Sequence, residues 1–274
     1  STGAAKAYPP LNMASMMAWG LGYFGMPHIL VRFMAIRDEN ELKLSRRIAS
    51  IWVVISMAVA VCIGMIGYSV SKAGRMPMLE GSNSETVVVQ ISNLLSTYGL
   101  FAAVVAGLIL AGILAATMST ADSQLLSAAS AFSENLLGDV FGVKLNAKQN
   151  MLAARLTVIV IAVIATFLAT DPNSSVFKIV SFAWAGFGAT FGPAILFALF
   201  WKRSNRQGIL AGLVAGGIMV FVWKFGISKL GGAFAIYELL PAFVVASIVI
   251  VIVSLATPKP DAEIEKIFDE MKAN

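Results

Sequence analysis

The 274-residue chain is 58% hydrophobic and 13% charged, with a mean hydropathy of +0.81. Soluble domains carry about 25% charged residues, so this composition excludes an ordinary soluble domain and indicates an all-α polytopic membrane helical bundle. The formal net charge of +5 sits in short segments between apolar runs, which is a membrane-topology pattern and not a nucleic-acid surface.

A bilayer span needs about 20 mainly apolar residues. Seven stretches qualify: residues 11–35, 48–71, 98–130, 153–170, 176–201, 207–228 and 235–256. The chain begins at Ser1 without a signal-peptide pattern and reads as part of a longer protein. The first stretch contains Trp19-Gly20-Leu21-Gly22-Tyr23-Phe24-Gly25-Met26-Pro27-His28. Three glycines and a proline there predict two half-helices joined by unwound backbone. Unwound backbone at membrane depth is tolerated where it lines a cavity or is buried in protein. Trp19 and Tyr23, four residues apart, could then flank a small organic solute.

The loop after this stretch holds Arg32, Arg37, Lys43, Arg46 and Arg47. Lys144, Lys148 and Arg155 follow the third stretch, and Lys202, Arg203 and Arg206 follow the fifth. The alternate loops are poorer in Lys and Arg. The positive-inside rule therefore predicts an external N-terminus and a cytoplasmic C-terminus. In the long external loop, Ser82, Asn83 and Ser84 before Glu85 predict a helix start, and Val88, Ile91, Leu94 and Leu95 recur at helical spacing. An amphipathic outer helix over about 84–96 is expected. The single Cys62 lies in an apolar run, so no internal disulfide is possible.

The third stretch carries a single charge, Asp122, within Met118-Ser119-Thr120-Ala121-Asp122-Ser123. An intramembrane carboxylate is costly and usually functional. Ala116, Ser119, Thr120 and Ser123 share one helix face, which Ser127 and Ser130 extend and Asp122 flanks. Hydroxyl and carbonyl oxygens suit a hard cation such as Na⁺. The alternative is that these hydroxyls bond to their own helix or a neighbour. A single helix cannot complete the shell, so a second element must face it.

The fifth stretch, Trp184-Ala185-Gly186-Phe187-Gly188-Ala189-Thr190-Phe191-Gly192-Pro193, has a GxxxG face and a bend-permitting proline. It reads as a close-packing face that can also act as a hinge. Gly208, Gly212 and Gly216 in the sixth stretch read as another packing face. The tail from Pro258 is charged and reads as a solvated end. No Ser/His/Asp set, second intramembrane acid or phosphate loop is found, so an enzyme is not expected, and the lone His28 excludes a His-rich metal cluster.

Three of these segments resemble the sodium/solute symporter family. They are Gly20 to Leu30, Ala115-Ala116-Thr117-Met118-Ser119-Thr120-Ala121-Asp122-Ser123-Gln124-Leu125-Leu126, and Trp184 to Pro193, in the family's order. The resemblance implies a LeuT-like fold of two inverted five-helix repeats. Residues 1–205 would be the second repeat, 206–257 two additional helices and 258–274 a cytoplasmic tail, with the first repeat outside this chain. It further implies Na⁺ bound by the Ala116 carbonyl and the Ser119 and Thr120 hydroxyls. Asp122 and Ser123 fall on a second sodium position of some relatives. Trp19, Tyr23 and Pro27 match solute positions, and Gly186, Gly188, Gly192 and Pro193 lie on the gating helix. Met26 stands where proline-transporting members are expected to carry Gln.

The implied activity is Na⁺-coupled symport of a small organic solute across the bacterial inner membrane, proline or a related amino acid first. Pantothenate, other carboxylates, sugars, or a sensor role for the same fold are the alternatives. The implied partners are Na⁺, the solute, the bilayer and the missing N-terminal half, with no organic cofactor and no nucleic acid.

Overall fold

Helix α1 (Pro10–Gly22) ends where a 3-10 turn (Tyr23–Gly25) and an extended Met26 (φ −81°, ψ 116°) interrupt the first span. Pro27 then opens α2 (Pro27–Met34), since its missing N–H costs nothing at a helix start. The break is as expected, but its cause differs. α1 continues through Gly20 and Gly22, and neither these nor Gly25 adopts a positive φ. The computed structural model describes residues 8–38, 40–170 and 175–273. Its other helices are α3 (Glu41–Lys72), α4 (Val87–Ser96), α5 (Leu100–Ser130), α6 (Ala147–Leu168), α7 (Val176–Phe200), α8 (Arg206–Phe225), α9 (Leu239–Ala256) and α10 (Ala262–Ala273). No strand occurs among the described residues.

Six helical runs among them are long and apolar enough to cross a membrane: Glu41–Lys72, Leu100–Val140, Ala147–Leu168, Val176–Phe200, Arg206–Leu230 and Leu239–Ala256. The broken first span is two helices, each too short alone. The chain packs as two units, one of Ser1–Ile36 with Phe177–Asn274 and one of Arg37–Val176. This grouping follows packing and not chain order, so α8 and α9 share a unit with α1, α2 and α7.

In the Arg37–Val176 unit, α3 ends in a Schellman motif. Gly74 (φ 72°) donates to the Ser71 carbonyl, and Arg75 donates to that of Val70. A 3-10 segment (Gly81–Thr86) precedes α4, so this helix begins one turn later than expected. Glu85 lies in that segment and meets the other end of the unit, accepting from Ser175 Oγ and the Val176 N–H. Gly67 of α3 packs against Val87 of α4. Gly99 at φ 108° starts α5, a conformation that favours glycine. Past Ser130 the helix widens into a π-helical segment (Ala131–Val140), which the sequence did not announce; Phe141 donates to Leu136 five residues back, at 3.1 Å. Asn146 opens α6 with a capping box to Gln149. No residue of the most apolar stretches of α3 and α6 is buried. Such surface needs an apolar surrounding, which a bilayer supplies.

In the other unit, α8 and α9 pack along their whole length through the predicted glycine stripe. A Cβ added at Gly208 would strike Ser254, and one at Gly212 would strike Ile250. At Gly216 it would lie 2.5 Å from the Ala189 carbonyl oxygen of α7. Pro193 has no N–H to give that carbonyl, so the approach of α8 coincides with the gap Pro193 leaves. The core comprises Ala185, Ala189, Val220, Leu239 and Ala242.

The tail is not merely solvated charge. α10 carries Ile264, Ile267 and Met271 at helical spacing, and Asp269 binds Lys202 Nζ at 2.7 Å. The hydrogen bond that Lys202 donates to Asp269 raises its ammonium above the usual lysine range. The attraction is therefore complete below the ordinary lysine value and is lost only as pH rises through the raised one. Asn205, 6% exposed, caps α8 at Gly208 and donates to Thr257 Oγ1 and the Pro258 carbonyl, both at 2.7 Å. Asn205→Ala removes the cap and leaves buried acceptors bare. It is expected to cost about 2 kcal/mol, read as a lower thermal midpoint in detergent than for the exposed neighbour change Arg206→Ala.

Candidate functional site

The predicted site residues fall into two groups, one in each unit. On α5 the run from Ala116 to Ser123 is one unbroken exposed helix. Thr120 Oγ1 donates to the Ala116 carbonyl at 3.1 Å. Ser123 Oγ donates to the Thr120 carbonyl at 2.9 Å and to that of Ser119 at 3.3 Å. The Thr120 and Ser123 hydroxyls thus donate to their own helix. A hydroxyl that donates its hydrogen still keeps lone pairs for a cation. Hard cations of suitable size sit about 2.3–2.6 Å from their oxygens, so two oxygens 3.1 Å apart can reach the same ion. At roughly 100° per residue, Asp122 lies about 120° round the helix from the centre of this stripe. It is exposed and belongs to the flank.

In the other unit, Trp19 and Tyr23 come together with residues of α7. Trp184 Nε1 donates to the Trp19 carbonyl at 3.0 Å. The Trp19 and Trp184 rings stack at 5.4 Å and 17°, and Phe177 stacks on Trp19 at 5.4 Å and 13°. Tyr23 meets Trp184 edge-on at 4.9 Å, yet remains 51% exposed. Pro27 is exposed at the start of α2. Trp19 is therefore embedded in an aromatic stack, and Tyr23 offers the freer face.

The glycines of α7 explain those of the break. A Cβ at Gly25 would meet the Phe187 carbonyl, with Gly192 N at 2.8 Å and Gly188 Cα at 2.9 Å. A Cβ at Gly188 would lie 2.6 Å from Gly22 Cα. Gly186 faces open space. Backbone thus meets backbone between the broken span and α7, through Gly22 and Gly25 on one side and Gly188 and Gly192 on the other.

A family model for the sodium:solute symporter family matches residues 1–216. The chain belongs to the sodium:solute symporter family. It is 40% identical over 264 residues to the sodium/proline symporter of Haemophilus influenzae, covering 95% of this chain and 51% of that protein. The osmoregulated proline transporter OpuE of Bacillus subtilis is 40% identical over 268 residues, covering 97% of this chain and 52% of that protein. The sodium/proline symporter of Escherichia coli is 40% identical over 263 residues, covering 95% and 50%. The chain therefore spans about half the length of the curated relatives it matches. No solved structure matches it. Family and apolar helices together make this a chain of a multi-pass membrane protein.

Two features of this chain escaped sequence reasoning. Tyr237 donates its N–H to Ser15 Oγ at 3.1 Å and its hydroxyl to the Ser181 carbonyl at 2.5 Å, and it stacks on Trp19 at 6.0 Å. Its neighbour Glu238 is only 4% exposed, with Lys224 Nζ at 2.9 Å from its carboxylate. That contact is an ion pair by distance, without the angles of a directed hydrogen bond. An aromatic beside an acid just before an apolar run was the available signal.

Proposed function

We propose that this chain carries the α5 sodium ligands and the aromatic solute wall of a Na⁺-coupled symporter for proline or a closely related amino acid. The observation that carries this reading is the pair of oxygens on α5, a backbone carbonyl and a hydroxyl 3.1 Å apart on an exposed face of an apolar helix. Na⁺ binds the Ala116 carbonyl and the Ser119 and Thr120 hydroxyls, with the rest of its shell supplied by another helix. Asp122 and Ser123 flank that position. Tyr23, backed by Trp19 and followed by Pro27, receives the solute. The free polar ends of the broken helix suit the charged groups of an amino acid. Gly188, Gly192 and Pro193 give α7 its hinge.

Proline is favoured because the relatives are named for it. The basic loops favour an external N-terminus and a cytoplasmic C-terminus. Residues 1–205 then correspond to the second inverted repeat of a LeuT-like fold, and the opposing repeat comes from the half of the relatives' length that this chain does not match.

The test is uptake of labelled proline, pantothenate and a sugar by cells producing the whole symporter, with Na⁺ or with K⁺. Sodium-dependent proline uptake is expected. Sodium-independent uptake, or none of the solutes, overturns the reading. Vesicles holding only the 274-residue chain are expected to take up no proline.

A further inference from the structure

The Trp19 carbonyl, in the last turn of α1, accepts a hydrogen bond from another helix, from Trp184 Nε1 of α7 at 3.0 Å. The same indole stacks on the Trp19 ring at 5.4 Å and meets the Tyr23 ring edge-on at 4.9 Å. It also fills the space a Cβ at Gly22 would take, its Cε2 lying 2.8 Å from that point. An indole N–H is a donor only, so it marks an acceptor with no ambiguity of direction. Half-buried Trp184 therefore holds the carbonyl, the ring before the break and the ring that opens it.

We infer that Trp184 is the positioning residue through which α7 sets the geometry of the solute wall formed by Trp19 and Tyr23, and with it solute affinity. This rests on the solute assignment proposed above. No step of α7 away from α1 can spare one of the three contacts, because a single rigid side chain makes them all. Solute occupancy and the seating of α7 are thus tied through one residue that need not touch the solute. Sodium binding on α5 has no share in this contact set.

The experiment uses the whole symporter with Trp184→Phe and Trp184→Leu. Phe keeps a ring and loses the N–H; its KM for proline is expected to rise roughly 3–10-fold, the effect of one hydrogen bond. Leu also loses the ring contacts, and a rise of about 100-fold is expected. In both, kcat and the Na⁺ concentration for half-maximal uptake stay within about 2-fold. A second readout needs no solute. Gly20 has nothing within 4 Å of an added Cβ, so Gly20→Cys in a whole protein otherwise freed of cysteine, Cys62→Ser included, reports the end of α1. Its reaction with a maleimide is expected to be at least about 3-fold faster with Trp184→Leu, as lost contacts of this size loosen the helix end.

Unchanged labelling in both variants overturns the inference. So does a fall in kcat at constant KM, or a parallel rise in the solute and sodium requirements. Faster labelling in a protein that takes up no proline supports the positioning role and sinks the solute assignment instead.

Discussion

Gly25→Val is expected to lower the thermal midpoint of the detergent-solubilised protein sharply and to abolish uptake. The added Cβ has no flexible side chain to displace. It meets the Phe187 carbonyl, Gly192 N and Gly188 Cα, all of them backbone of α7. Overpacking usually costs about 1–3 kcal/mol and more where neighbours cannot yield, so the upper end of that range or beyond is expected. The control is Gly20→Val, five residues earlier in the same broken span, where an added Cβ meets nothing within 4 Å. That change should cost nothing in helix preference, since valine ranks above glycine in a helix interior by a few tenths of a kcal/mol. Equal shifts for the two variants would show that the glycines serve backbone freedom and not close approach.

That contrast also marks what the sequence could and could not say. The broken span was legible, because Pro27 forbids a continuing hydrogen-bond ladder and Met26 ahead of it is pushed to extended backbone. The reason for its glycines was not, since density alone does not tell positive φ from a neighbouring helix. The stripes at Gly188 and Gly192 and at Gly208, Gly212 and Gly216 were read correctly, because four-residue spacing maps directly onto one helix face. The contact of Trp184 with Trp19 joins positions 165 residues apart, and no local pattern encodes it. α10 was missed because its charge density outweighed the period of Ile264, Ile267 and Met271. The Ser/Thr run of α5 was legible in residue type and face alone: the geometry of Thr120 and Ala116 is equally that of a helix bonding to itself.

Replacing both Ser119 and Thr120 by Ala is therefore the decisive change on α5. It is expected to raise the Na⁺ concentration for half-maximal proline uptake by about 100-fold or more. The magnitude follows from losing two oxygens that face a charge, each worth about 1.5–3 kcal/mol. Stability should hardly move, because both residues are exposed and Thr120 only bonds to its own helix. This separation makes the test clean, since a large change in sodium requirement with an unchanged melting curve cannot come from misfolding. Thr120→Ser restores an oxygen and should recover most of the sodium affinity. Asp122→Asn, on the flank of the stripe, should shift the requirement by less than about 3-fold, the size expected of a screened, exposed charge. A double variant whose sodium dependence is intact would leave the α5 hydroxyls with no role beyond their own helix. A large effect of Asp122→Asn alone would move the ion from the Ala116 face to the carboxylate. The remaining ligands must come from elsewhere in either case, because one helix face presents oxygens to only one side of an ion.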